Sequence, residues 1–191
     1  MSSGDVVLNA VMARRSCRKY EKRPVPHDVF EKIVEAARCA PTARDRQELR
    51  FYAVESPEIC EKIGMETHNI AVKTSPFLDE RVKKMELTNA VTCGAPACIV
   101  ITVENTPEMM HFAELDAGLA VENILIACAA LGLRALPVGM AQRFNERGIL
   151  DIVGAGKEEK MLLLVPFGYP DPDYDKKFLP EKKITSFVRY L

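Results

Sequence analysis

The sequence predicts an α/β chain in which helices outweigh strands, and three stretches carry that prediction. Residues 97–103, Ala-Cys-Ile-Val-Ile-Thr-Val, run without a charged side chain, as a strand covered on both faces requires. Residues 161–167 repeat the pattern. Between them, residues 116–131 hold only Asp116, Glu122 and Asn123 as polar side chains. A helix there is apolar nearly all round, and needs cover from a core or from a subunit interface.

In chain order, residues 5–15 read as a first helix with Val7, Leu8, Val11 and Met12 at three-and-four spacing, ending in a basic cluster. Residues 22–26 are Pro-rich and extended. A helix opens at His27 or Asp28, carries Val29, Phe30, Ile33, Val34 and Ala37 on its apolar face, and is closed by Pro41. Residues 51–54 form a short strand, and Ser56-Pro57-Glu58 is a capped helix start running toward Gly64. Residues 76–89 are charge-rich and read as helical. Gly132 supplies the C-cap of the long apolar helix, residues 134–138 the next strand, and Asn145 the cap of a helix to about residue 153. The tail, residues 168–191, is rich in Pro, Asp and Lys yet ends in Ile184, Phe187, Val188, Tyr190 and Leu191. It reads as an arm that docks on a partner subunit, a homodimer being the simplest arrangement.

The 191 residues, 48% hydrophobic and 28% charged, have the composition of a soluble globular protein and suffice for one core, so a single domain over 1–191 is expected. The 26 Lys and Arg nearly cancel the 27 Asp and Glu. No global field then favours a nucleic acid or a membrane, and any anion site must be local. The six cysteines (17, 39, 60, 93, 98 and 128) form no CxxC pair, and the chain has only three histidines, which is a poor basis for a metal site. The start of the chain lacks a secretory pattern, so free thiols in a cytoplasmic protein are expected.

Four constellations could carry chemistry. Arg14, Arg15, Ser16 and Arg18 place three guanidinium groups and a hydroxyl directly after a helix, a set suited to phosphate oxygens. Residues 40–47, with Pro41, Thr42, Ala43 and Gln47, form a loop between rigid elements, where ligands are usually met. Leu136-Pro137-Val138-Gly139 runs a strand into a Pro and a Gly, which lets backbone amides approach a flat ligand. Lys182 and Lys183 form a basic pair near the C-terminus. Each alone reads equally as a solvated helix end, an ordinary connection or a surface charge pair.

Together, in this order and at these separations, the four resemble the nitroreductase family of FMN-dependent oxidoreductases. The opening motif of that family is similar to Arg14-Arg15-Ser16 with Arg18 and Tyr20, followed by Pro24-Val25-Pro26. Ala40, Pro41, Thr42, Ala43, Gln47 and Phe51 meet its next motif, although Arg44-Asp45 stands for the family's Gly-Asn and Glu48-Leu49 for its Pro-Trp. A carboxylate at Asp45 cannot donate the hydrogen bond that an asparagine amide could. Asp116-Ala117-Gly118, Asn123 and residues 130–133 look like the family's central helix and its end, and Gly168-Tyr169-Pro170 follows the last core strand as in the family.

The resemblance implies an α+β sandwich with a central mixed sheet flanked by helices. It also implies an intertwined homodimer whose C-terminal arm adds to the partner's sheet, with two FMN molecules at the interface. Arg14, Ser16, Arg18, Lys182 and Lys183 would hold the phosphate, and Arg15 would lie near the ribityl chain or ring. Pro41, Thr42, Ala43 and Gln47 from the other subunit, with Leu136, Pro137, Val138 and Gly139, would frame the isoalloxazine, and Asn89 is a further candidate contact. The activity implied is hydride transfer from NADH or NADPH through FMN to a small-molecule acceptor, a nitroaromatic or quinone, in ping-pong order. No general acid or base is assigned, His27, His68 and His111 lying outside the motifs. Same-fold alternatives are a flavin-fragmenting or reductive dehalogenating enzyme, and a non-catalytic flavin-binding or interaction dimer.

Overall fold

The computed structural model describes residues 3–174 and 188–189. Along them lie six α-helices and four strands: α1 (Ser3–Ala13), α2 (His27–Arg38), β1 (Arg50–Val54), α3 (Pro57–Ala71), α4 (Phe77–Met85), β2 (Ala97–Glu104), α5 (Pro107–Ala130), β3 (Arg134–Ala135), α6 (Gly139–Val153) and β4 (Glu159–Gly168), with a 3-10 turn at Ala43–Asp45. The strands form one sheet in the order β1-β2-β4-β3. The α+β class is as expected. Among the described residues every strand-to-strand pairing is antiparallel, and the parallel component that a mixed sheet requires is a single bridge between Ser16 and Ala135.

The apolar runs explain the centre of the sheet. In β2 every residue from Ala97 to Val103 is buried, and β4 pairs with it along its length. One face of the sheet packs on α2 and α5 through Phe30, Ile33, Ile99, Ile101, Ile124, Val165 and Phe167. The other packs on α3 and α6 through Ile63, Cys98, Val100, Ile149, Leu150 and Leu164.

Several boundaries differ from expectation for identifiable reasons. Helix α3 runs through Gly64, because this glycine is a close-packing position: a Cβ there would run into Thr92 Oγ1 and Asn89 Nδ2. Helix α4 ends at Met85, where Glu86 turns left-handed at φ 54°, so residues 87–96 are a loop. Helix α5 begins nine residues before Asp116, its first turn capped by Thr106, whose hydroxyl accepts from the Met109 amide. The strand after Gly132 is cut to two residues, since Pro137 has no amide to offer the ladder. Asn145 sits at a kink inside α6 (φ −149°, ψ 39°), where the second part of that helix starts.

The buried stripe of α5 comprises Ala113, Asp116, Ala117, Ala120, Val121, Ile124, Leu125 and Cys128. At about 100° per residue, Phe112, Leu115 and Leu119 lie on the opposite side. They are 40%, 63% and 41% exposed, and Val7, Leu8 and Met12 of the neighbouring α1 are also exposed. Val7, Leu8 and Met12 of α1 therefore face outward in the protomer, while Ala10 is buried and Val11 half-buried.

Candidate functional site

The basic segment after α1 is laid against the β3 end of the sheet. Ser16 bridges Ala135, the Cys17 amide donates to the Ala135 carbonyl at 3.4 Å, and Tyr20 bridges Pro170. Cys17 and Tyr20 point into the core, the tyrosine hydroxyl donating to the Cys17 carbonyl at 3.0 Å. With these two inward, Arg14, Arg15, Ser16 and Arg18 are left half-buried on the outside. Arg14 pairs with Glu122 of α5 at 3.7 Å. Arg15 folds back to donate to the carbonyls of Met12 and Arg14, both at 2.8 Å. Arg18 hydrogen-bonds Tyr174, whose hydroxyl is pushed up by burial against the opposing pull of that guanidinium.

Residues 136–139 continue directly from β3, so the structure joins the first and third constellations. Leu136 and Val138 are buried, and their amides donate to the Pro166 and Leu164 carbonyls of β4 at 3.0 and 2.8 Å. Neither amide is left for a ligand. Pro137 and Gly139 face outward, and Gly139 opens α6, whose first turn has no side-chain cap. Its leading N–H groups and the positive end of the helix dipole are thus available to an anion.

The second constellation lies elsewhere on the protomer. The Ala43 amide donates to the buried Asp116 carboxylate at 3.0 Å, and Arg46 reaches Glu108 at 3.1 Å. Gln47 closes the turn, its amide donating to Thr42 Oγ1 at 2.9 Å and its side chain to Asp45. Thr42 and Gln47 line a cleft with Ala40, Leu49 and Phe51. Asp116 and Glu122, which anchor the two groups, are about 9 Å apart along α5 and about 120° apart around it. The two groups of one protomer therefore sit on different sides of the long helix. Lys182 and Lys183 lie outside the described residues.

The nitroreductase family model matches residues 11–169, a span that includes both groups. The chain belongs to the nitroreductase family. A Methanothermobacter thermautotrophicus protein provisionally named NADH dehydrogenase/NAD(P)H nitroreductase is 31% identical to it over 166 residues, 86% of this chain and 77% of that one. Rat iodotyrosine deiodinase 1 is 26% identical, over 90% of this chain and 66% of its own. In fold, the chain is similar to a Bacteroides fragilis nitroreductase solved with bound FMN, at a TM-score of 0.79 and 22% identity, covering 97% of each chain.

Asn89, the further candidate contact, lies in the turn that follows α4. It is fully buried, and its Oδ1 accepts from the amides of Val91, Thr92 and Cys93 at 2.9, 2.8 and 3.3 Å, holding the 89–93 turn together. Sequence reasoning missed Asp116 as the anchor of the 41–47 loop. Its signal was a lone carboxylate on an otherwise apolar helix face.

Proposed function

We propose that this nitroreductase-family protein is an FMN-dependent oxidoreductase that uses NADH or NADPH to reduce a small-molecule acceptor, a nitroaromatic or quinone, in ping-pong order, working in the cytoplasm as a homodimer. The observation that carries the reading is the wall formed by Arg14, Arg15, Ser16 and Arg18 beside the uncapped N-terminus of α6. Three guanidinium groups, a hydroxyl and helix amides on one surface are a donor set fitted to a phosphate at one end and a flat, electron-rich ring at the other.

When bound, FMN supplies the acceptance and release of hydride. The protein supplies position and charge. Arg14, Ser16 and Arg18 would hold the phosphate, joined by Lys182 and Lys183 if the tail returns to this wall, while Arg15 would lie by the ribityl chain. Gly139 and the first amides of α6 would stabilise negative charge developing on the ring, an oxyanion-type effect. Pro137 would bound the ring edge, with the backbone of Leu136 and Val138 fixing its height. Pro41, Thr42, Ala43 and Gln47 would come from the second protomer, which the position of the two groups on different sides of α5 favours.

Reductive dehalogenation is a second reading. It draws on the similarity to iodotyrosine deiodinase and on Arg44, Asp45, Glu48 and Leu49, which give this loop a different chemistry from the family motif. The test is an absorption spectrum of the purified protein, identification of any released chromophore, and anaerobic addition of NADH or NADPH. A yellow protein that releases FMN and bleaches supports the reading. A colourless protein that also fails to bind added FMN overturns it, and halide release from a halophenol would favour the second reading.

A further inference from the structure

Arg44 stands where the 41–47 loop turns left-handed, at φ 58° and ψ 24°, a turn that Asp45 and Gln47 share at φ 53° and 52°. Glycine adopts that conformation freely, whereas a residue with a Cβ is strained in it. The other polar groups of the segment are used internally: Arg38 by Glu35, Arg46 by Glu108, Asp45 by the Gln47 side chain, and Thr42 by the Gln47 amide. Arg44 is exposed, and among the described residues it makes no hydrogen bond or ion pair. The loop therefore holds one uncommitted guanidinium, on strained backbone, beside the cleft lined by Thr42, Gln47 and Phe51. A charge needed only for solubility could occupy any unstrained surface position. Strain maintained by surrounding bonds, here those of Ala43 and Gln47, is a mark of a position held for function.

We propose that Arg44 makes this site selective for molecules bearing an anionic group, a carboxylate, sulfonate or phosphate, among those that exchange electrons there. This rests on the flavin reading above, which sets the 41–47 loop beside the redox centre of the second protomer. The planar fork of the guanidinium suits all three oxyanions, and with no partner among the described residues it is available to bind them. The anion belongs either to the acceptor or to the 2′-phosphate that distinguishes NADPH from NADH.

The experiment compares FMN-loaded wild-type protein with Arg44→Gly and Arg44→Lys. It measures kcat/KM for 1,4-naphthoquinone-2-sulfonate against 1,4-naphthoquinone, and for NADPH against NADH. Comparing each ratio across proteins cancels the intrinsic reactivity of the probes. Arg44→Gly, which removes the charge and the strain at this position, is expected to lower one of the two ratios about fivefold or more, with Arg44→Lys recovering part of the loss. A drop in the quinone ratio assigns the anion to the acceptor, and a drop in the NADPH ratio assigns it to the donor. A yellow, active Arg44→Gly protein with both ratios unchanged overturns this proposal alone. Wild-type protein that neither binds FMN nor oxidises NADH or NADPH overturns the flavin reading, and this proposal with it.

Discussion

The Asp116 carboxylate accepts the backbone amide of Ala43 at 3.0 Å, across 73 residues of sequence. Asp116 is 2% exposed, so the bond is sheltered from water and sets how the 41–47 loop sits on α5. Removing the acceptor in Asp116→Ala leaves that amide unpaired and should cost about 1–3 kcal/mol in urea unfolding. Asp116→Asn, which keeps an oxygen at the position, should lose less. FMN affinity should fall with the first variant and be largely kept in the second, because the loop would lose its support only in the first.

Glu159 gives the protein an acid-sensitive stability term. Burial alone would raise its carboxyl, but hydrogen bonds from Thr102, Tyr52, the Gly156 amide and Arg50 outweigh burial and bring it down to about 2. These partners tie β1, β2, β4 and the turn before β4 to one carboxylate, which Thr102 reaches beside a register shift in the β2–β4 pairing. Because the folded value lies below the unfolded one, the stabilisation is full above about pH 5 and is lost as pH falls toward 2, amounting to up to about 3 kcal/mol. Glu159→Gln should therefore be less stable than wild type at pH 7, and the gap between them should close between pH 5 and 2. A gap that stays constant with pH would refute the assignment.

Gly64 is a helix position where alanine should harm. In an exposed helix, Gly→Ala gains up to about 1 kcal/mol. Here the new methyl would strike Thr92 Oγ1 and the Asn89 amide, the same asparagine whose Oδ1 holds the 89–93 turn. Gly64→Ala should destabilise by about 1–3 kcal/mol, as overpacking does, and Asn89→Ala by about 2 kcal/mol through the unpaired amides. If both lesions act on one turn, the double variant should lose less than the sum of the two.

What the sequence made legible follows from which signals are local. The β2 and β4 runs, the Ser56–Pro57 start of α3 and the stop of α5 at Gly132, which lies left-handed one residue past the Leu131 cap, are set by neighbouring residues, and each is found in the structure. The left-handed Arg44 and the buried role of Asn89 were not legible, because both depend on tertiary partners, Asp116 and Gly64, that lie far away in sequence. The motif residues were legible as types. That Leu136 and Val138 spend their amides on β4, leaving only Gly139 and α6 to meet a ligand, became readable only from the register.

The outward apolar face is the feature a lone protomer explains least. Leu8 is 64% and Leu115 63% exposed, on adjacent helices with Val7, Met12, Phe112 and Leu119 around them. Exposed apolar side chains gathered on adjacent helices are costly in water unless a partner covers them. Leu115 makes little contribution to the protomer core, so Leu115→Glu should change unfolding of the isolated chain by no more than about 0.5 kcal/mol while placing a charge in any interface that covers the face. On size-exclusion chromatography with light scattering, wild type should elute as a dimer and the variant as a folded monomer. Since the basic wall and the 41–47 loop sit on different sides of one α5, the monomer should also lose bound FMN. A Leu115→Glu protein that stays dimeric and yellow would place the subunit contact elsewhere, and would require one protomer to assemble the whole flavin site by itself.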